Sequence, residues 1–196
     1  MQRCAWAGTD TVNVRYHDEE WGRPVTDDHR LFEKLCLEGF QSGLSWLTIL
    51  KKRDQFRKQF KDFDPKAVAR MNDADVERLM LDPGIVRHRG KIVSVINNAA
   101  RVGEILSNVG SFSAYVWSFE PKARLTAPVE GEMLPAQTEA SVAFSKDLRK
   151  RGFSFVGPTT CYAFMQSMGL VNDHYAHCDC RGPCEAERAA LKRPAL

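Results

Sequence analysis

Apolar residues recur at three- and four-residue intervals through most of this chain, and no run alternates apolar and polar with the period of two that a half-buried strand requires. The pattern predicts an all-α protein. Asp27 or Asp28 can cap a helix ending near Gly39, and Ser45 can start a second that carries Trp46, Leu47, Leu50 and Phe56. Asp64-Pro65 marks a helix start with proline at the first helical position. Asn72 or Asp73 caps a short helix through Leu81, which Pro83-Gly84 ends. Ile92, Val95, Ile96, Ala99, Val102 and Leu106 mark a long amphipathic helix. Ser111 starts another with Val116 and Trp117, and two more are expected near 139–151 and 158–169. Residues 120–138 hold Pro121, Pro128 and Pro135 and read as an irregular connection, the place where mobility is expected. There is no internal repeat and no low-complexity tract.

A length of 196 residues suits one domain, or one domain with a small lobe, and is enough to bury a core. Hydrophobic content of 43% and charged content of 27% are ordinary for a soluble globular chain. The net charge of +3, from 28 basic against 25 acidic residues, is too mild to imply a polyanionic partner by itself, although a local basic surface would not show in the sum. No stretch approaches the roughly 20 apolar residues of a membrane span, and no secretory signal is visible. A cytoplasmic location is expected, and there six cysteines point to thiols or metal ligands rather than a disulfide framework.

Three places carry candidate chemistry. Between Leu35 and Trp46 one carboxylate, Glu38, stands among large apolar residues. With Leu31 and Leu35 it follows i, i+4, i+7 spacing, at the edge of the face a helix would bury. Burying it costs several kcal/mol without a partner, and no Lys or Arg lies between Lys34 and Lys51 to pair with it locally. It is either a rim glutamate or a carboxylate held in an aromatic pocket for a donor-rich or cationic ligand. Cys4 and His17 lie near one end of the chain and His174-x-x-x-Cys178 near the other. Two Cys and two His suit tetrahedral Zn²⁺, and four protein ligands would make the site structural. His177, Cys180 and Cys184 are close enough in sequence to substitute, while Cys36 and Cys161 read as core thiols. An iron–sulfur cluster needs four cysteines, and Cys178, Cys180 and Cys184 supply three. Finally, Gly152 ends one helix and Gly157-Pro158 opens the next, with Lys150 and Arg151 alongside. A glycine-flanked hairpin with outward amides is an anion site suited to nucleic-acid phosphate; a plain helical hairpin is the alternative.

Phe155-Val156-Gly157-Pro158-Thr159-Thr160 resembles the hairpin of helix-hairpin-helix DNA glycosylases, and Gly84 to Ile92 resembles the turn and helix that precede it there. Cys4, Tyr16-His17-Asp18, Glu20-Trp21-Gly22, Glu38 to Trp46, Gly169 to His174 and Cys178 follow in matching order. Over residues 1–180 the chain resembles the bacterial 3-methyladenine DNA glycosylase I family. That resemblance implies a helix-hairpin-helix glycosylase domain over 1–180, with its hairpin region at about 139–169 and a C-terminal tail at 181–196 that could be mobile. It selects Cys4, His17, His174 and Cys178 as ligands of one structural Zn²⁺ joining the N- and C-terminal segments. The implied partners are double-stranded DNA containing alkylated adenine and free 3-methyladenine as product, with no membrane association and a monomeric state.

The implied reaction is base excision: the lesion is flipped into a pocket and its N-glycosidic bond hydrolysed, leaving an abasic site. An adenine alkylated at N3 is cationic, pairs poorly and leaves easily. Tyr16, Trp21 and Trp46 would stack on it, and Glu38, the candidate catalytic residue, would accept from its exocyclic amine and favour its charge. Leu44 is either a wedge filling the vacated stack or a core leucine. Gly152, Phe153, Phe155, Val156 and Gly157 would contact the DNA backbone. Asp173 reads as a turn residue or a partner of the adjacent metal ligand. Thr159 stands where bifunctional relatives carry a Schiff-base lysine, so a monofunctional enzyme is expected. A zinc-stabilised DNA-binding module without chemistry is the competing reading, and a zinc hydrolase a weaker one, since no ligand position is left open for water.

Overall fold

The structure, a computed structural model, describes residues 1–122 and 126–196, and among them no strand forms. A 3-10 turn (Ala5–Ala7) leads into α1 (Thr11–Glu19), which Asp10 caps by accepting from the Val12 amide. This helix is not legible in the periodicity, because Thr11, Val12 and Val14 are β-branched and its apolar stripe is thin. Next comes α2 (Asp28–Gln41), capped by Asp27, whose residues from Leu31 to Phe40 are all buried. The helix expected from Ser45 is broken at Lys52 into α3 (Trp46–Lys51) and α4 (Arg53–Gln59). The break lets Trp46 face α1 while Phe56, on α4, reaches Phe40 at a ring separation of 4.5 Å.

Pro65 opens the short α5 (Pro65–Val68) and a capping box between Asn72 and Asp75 opens α6 (Asp73–Met80). The long amphipathic helix is α7 (Arg89–Val109), followed by α8 (Phe112–Trp117), α9 (Glu139–Lys150) and α10 (Pro158–Ser167). Between α8 and α9 no helix forms among the described residues; positions 123–125 of the expected irregular connection lie outside them. No helix is long and apolar enough to cross a membrane, among the described residues. The segment read as a tail instead carries α11 (Arg181–Ala190). Its buried positions, Cys184 and Arg188, stand four apart on one face, and Arg188 donates to the Gly169 carbonyl and to Glu120. Gly182 and Pro183 hide the pattern in the sequence, but proline is tolerated in a first turn, where amides lack helical partners.

α2 is the axis of the fold, packed against α3, α7, α8 and α10. Lys91 of α7 donates to the Phe40 and Ser42 carbonyls at 2.8 and 2.5 Å and so caps the end of α2. The turn between α9 and α10 lies against the same helix: a Cβ on Gly39 would sit 3.3 Å from the Phe155 carbonyl oxygen. Asn98 of α7 clamps that turn, donating to the Ser154 carbonyl at 3.0 Å and accepting from its amide at 2.9 Å.

After α10, Gly169 has φ +75° and crosses the segment at Arg23-Pro24, whose backbone would stand 2.5 Å from a Cβ placed there. Only glycine fits. Gly169→Ala is expected to lower unfolding free energy by about 2–4 kcal/mol, through left-handed strain and a backbone clash that no rotamer relieves. Urea denaturation measures it, and an unchanged midpoint would refute it.

Candidate active site

Four helices converge on a cavity of about 280 Å³: α1 brings Tyr16, α2 brings Glu38 and Gln41, α3 brings Trp46, and α10 brings Ala163 and Gln166. Trp6 of the 3-10 turn and Trp21, just beyond α1, complete the aromatic side. Trp6 stands edge-on to Trp21 with centroids 4.9 Å apart, and Tyr16 lies 5.1 Å from Trp46. The four sequence candidates for base binding therefore meet in one place. Trp6 and Gln41 were not among them. Gln41 could have been found, being one turn after Glu38 on the same helix; nothing in the periodicity marks Trp6. The indole Nε1 of Trp46 is buried and has no hydrogen-bond partner among the described residues. A stranded donor beside a carboxylate in an aromatic cavity is what a pocket for a polar ring needs.

Glu38 is 5% exposed, so the rim reading fails, but so does the reading that it has no local partner. Lys34, one turn earlier, lies 2.8 Å from Glu38 Oε1 and is itself 5% exposed. Its ammonium donates to the Tyr16 hydroxyl at 2.7 Å and stands 3.3 Å from the centroid of Trp46. Burial pulls its pKa down to about 8, with Glu38 holding it up. The neighbouring charges are otherwise matched: Arg53 grips both oxygens of Glu20, and Arg57 pairs with Glu33. Burial, with the charge of Glu38, raises Tyr16 well above the usual phenol range, so its hydroxyl stays neutral.

Cys4, His17, His174 and Cys178 come together, their ligand atoms all within 4.8 Å of one another and all four buried. Cys178 Sγ lies 3.5 Å from His17 Nε2 and 3.4 Å from His174 Nδ1, and Cys4 Sγ lies 3.6 Å from His174 Nδ1. A tetrahedral ion with ordinary Zn–S and Zn–N bonds would hold S and N roughly 3.6 Å apart. The other ring nitrogens are oriented as metal-bound imidazoles are: His17 Nδ1 is 2.8 Å from Asp18, which Arg3 pairs, and His174 Nε2 is 3.0 Å from the Trp21 carbonyl. The donor set fits. Cys180 stands outside it, near His17 Nδ1 and Asp18, and Cys184 lies 3.9 Å from the Trp21 carbonyl. Asp173 Oδ2 accepts from the Tyr162 hydroxyl at 2.5 Å and from the Gln166 amide at 3.0 Å.

The turn between α9 and α10 differs in detail from expectation. The Phe153 amide donates to the Leu148 carbonyl and the Ser154 amide to Asn98, so neither faces outward. The side chains of Phe153 and Val156 are buried in the core, whereas Phe155 is 38% exposed at φ +56°. Gly152, at φ +84°, gives its carbonyl to Asn97 and shapes the turn. The amides of Phe155, Val156 and Gly157 form no internal hydrogen bond among the described residues. A Cβ on Gly157 would meet nothing closer than Arg149 at 3.6 Å, so internal packing does not demand glycine there. Leu44 is no core residue: it is 40% exposed on the tight turn after α2, beside Gly43 at φ +80°.

A helical fold that sets a buried carboxylate within an aromatic cavity, beside a Cys–His cluster joining the chain's ends, suits an enzyme that grips a flat base. Residues 6–181 match the family described as methyladenine glycosylase, and the chain belongs to it. It is similar to DNA-3-methyladenine glycosylase 1 of Escherichia coli, at 51% identity over 181 residues, covering 92% of this chain and 97% of that one. Among solved structures, a crystal structure of 3-methyladenine DNA glycosylase I superposes with TM-score 0.88 at 50% identity, covering 92% of this chain and 100% of that chain. The enzyme from Staphylococcus aureus, whose structure concerns recognition of 3-methyladenine, superposes with TM-score 0.87 at 38% identity, over 92% of this chain and 97% of that chain.

The Lys34–Glu38 pair makes a checkable statement about pH. Lys34 has a folded pKa of about 8 against an ordinary 10.5, so the unfolded chain binds the extra proton between those values. This group's contribution to stability therefore rises with pH across that window. Carbon-13 NMR of labelled lysines should show one side chain titrating near 8 in the folded protein. Glu38→Gln should move that midpoint lower still, because the carboxylate favours the charged amine. An unmoved midpoint would show that the pair is not coupled.

Proposed function

We propose that this chain is a monofunctional DNA glycosylase that hydrolyses the N-glycosidic bond of 3-methyladenine in alkylated duplex DNA. The observation that carries the reading is the buried carboxylate of Glu38 in an aromatic cavity, within a methyladenine glycosylase chain. The target nucleotide, extruded from the stack, would lie among Tyr16, Trp21 and Trp46, with Glu38 accepting from its exocyclic amine. Trp6 and Gln41 line the same cavity and would complete the grip. The positive charge on the alkylated ring makes the base a good leaving group without a strong general acid. Glu38 acts by holding the base in place, so binding does most of the catalytic work.

The remaining parts suit this chemistry. Leu44, exposed at the turn that Lys91 holds, can enter the gap left by the flipped base. The amides of Phe155, Val156 and Gly157, at the entry to α10, can take a DNA phosphate in the manner of a helix-hairpin-helix turn. Cys4, His17, His174 and Cys178 would hold one Zn²⁺ that leaves no position for water, so its work is to fasten the chain's ends. Thr159 is exposed at the start of α10, where a lyase would carry its amine.

Incubation with methylated duplex DNA is expected to release 3-methyladenine, identified by chromatography, and to leave the strand intact. Borohydride added during turnover should trap no covalent adduct; a trapped adduct lost on mutating one lysine would overturn the monofunctional part alone. A protein that binds DNA but frees no base would be a binding module instead.

Elemental analysis is expected to give about one zinc per chain, and Cys178→Ser should lose the metal and lower the melting temperature together. A stable, zinc-free variant would contradict the metal reading. Gly157→Asp should weaken binding to all duplexes alike, while binding of free 3-methyladenine, followed by tryptophan fluorescence, stays close to that of the parent. Equal loss of both would place Gly157 in the fold rather than at the DNA.

A further inference from the structure

Tyr16 and Trp46 line two spaces at once. One is the cavity with Glu38; the other is a narrow cleft containing Lys34, Glu20, Arg30, Glu33, Arg53 and Arg57. The aromatic wall of the candidate base pocket thus has an ammonium group seated behind it, 3.3 Å from the centroid of the Trp46 ring and 2.8 Å from the Glu38 carboxylate. Every other charge in the cleft is taken: Arg53 and Arg30 by Glu20, and Arg57 by Glu33. Lys34 is left facing Glu38 from the same helix and the neutral Tyr16 hydroxyl from α1.

We infer that Lys34 is a positioning residue that sets the charge preference of the base pocket, by neutralising Glu38 and occupying the back face of Trp46. This rests on the reading of the cavity as a base pocket. While Lys34 is charged, a cationic ring entering from the front meets a carboxylate already paired and an indole already polarised by a cation. An uncharged ring meets neither penalty. The alkylated nucleotide is cationic and the released base is not, so this lysine sets the balance between substrate and product in the pocket. Loss of its proton restores the full carboxylate charge to the cavity, and burial has brought that event close to neutrality, to about 8.

The test uses the full chain and tryptophan fluorescence at pH 7 and pH 9. Its probes are 3,9-dimethyladeninium, whose charge is fixed, and free 3-methyladenine, which is uncharged in that range. Affinity of the parent for the fixed cation is expected to rise roughly tenfold from pH 7 to pH 9, as the fraction with neutral Lys34 grows. Lys34→Met should bind the cation at pH 7 as tightly as the parent does at pH 9, with no dependence on pH. Lys34→Arg, charged throughout, should bind it weakly at both, so the profile stays decisive even if the methionine variant folds poorly. All three proteins should hold the neutral base within about twofold of one another, a difference too small to signal lost packing. A parent that binds both probes with no pH dependence, or a Lys34→Met that loses both equally, would overturn the inference. A parent that binds neither probe would instead overturn the base-pocket reading on which it stands.

Discussion

The meeting of Cys4 and His17 with His174 and Cys178 is the constraint on which the functional half of this molecule depends. It draws together segments more than 150 positions apart, and the aromatic wall of the cavity is built on it. The His174 ring stands edge-on to Trp21 at 4.6 Å and to His17 at 4.8 Å, and Trp6 stands edge-on to His17 at 5.1 Å. Tyr16 is adjacent to one ligand and Trp6 is two residues from another. Three of the four rings facing the cavity therefore take their positions from residues that a single ion could hold. Buried thiols and imidazoles with no ion would gain little from meeting, which is the physical argument for a metal there.

α2 supplies the second constraint. Its last turns carry Glu38 and Gln41 to the cavity on one face and Gly39 to the turn between α9 and α10 on another, and its capped end leads to Leu44. The aromatic cavity, Leu44 and the turn between α9 and α10 are thus spaced by the rise of one rigid helix rather than by flexible loops. At the other side each charge meets an opposite partner, Arg30 and Arg53 at Glu20, Arg57 at Glu33 and Lys34 at Glu38. Lys34 shows why a local count of charges misleads: the residue that pairs with Glu38 lies one turn back, at the edge of the interval where no cation was found.

Most of the helices were legible in the chain itself. Asp27, Ser45, Asn72, Ser111 and Thr138 each cap a helix through a side-chain oxygen, a local interaction that needs no tertiary partner. The misses have tertiary causes. α1 is a poor helix on propensity and stands because its residues pack on the cluster and the cavity. α11 reads as a tail until Cys184 and Arg188 find Trp21, Gly169 and Glu120. The kink at Lys52 is set by two surfaces that one straight helix could not reach.

By itself the sequence determined the helical class, the capped helices and the carboxylate among aromatics, because periodicity, caps and residue chemistry act over a few positions. For the Cys–His cluster, spacing left His177, Cys180 and Cys184 open, and the family resemblance selected Cys4, His17, His174 and Cys178. Only the tertiary structure decided that Lys34 stands behind the aromatic cavity, that Trp6 lines it, and that Leu44 faces outward. It alone showed which amides of the α9–α10 turn have no partner among the described residues. Those facts depend on distances between segments remote along the chain, and on which donors their neighbours have already claimed. No local pattern encodes either.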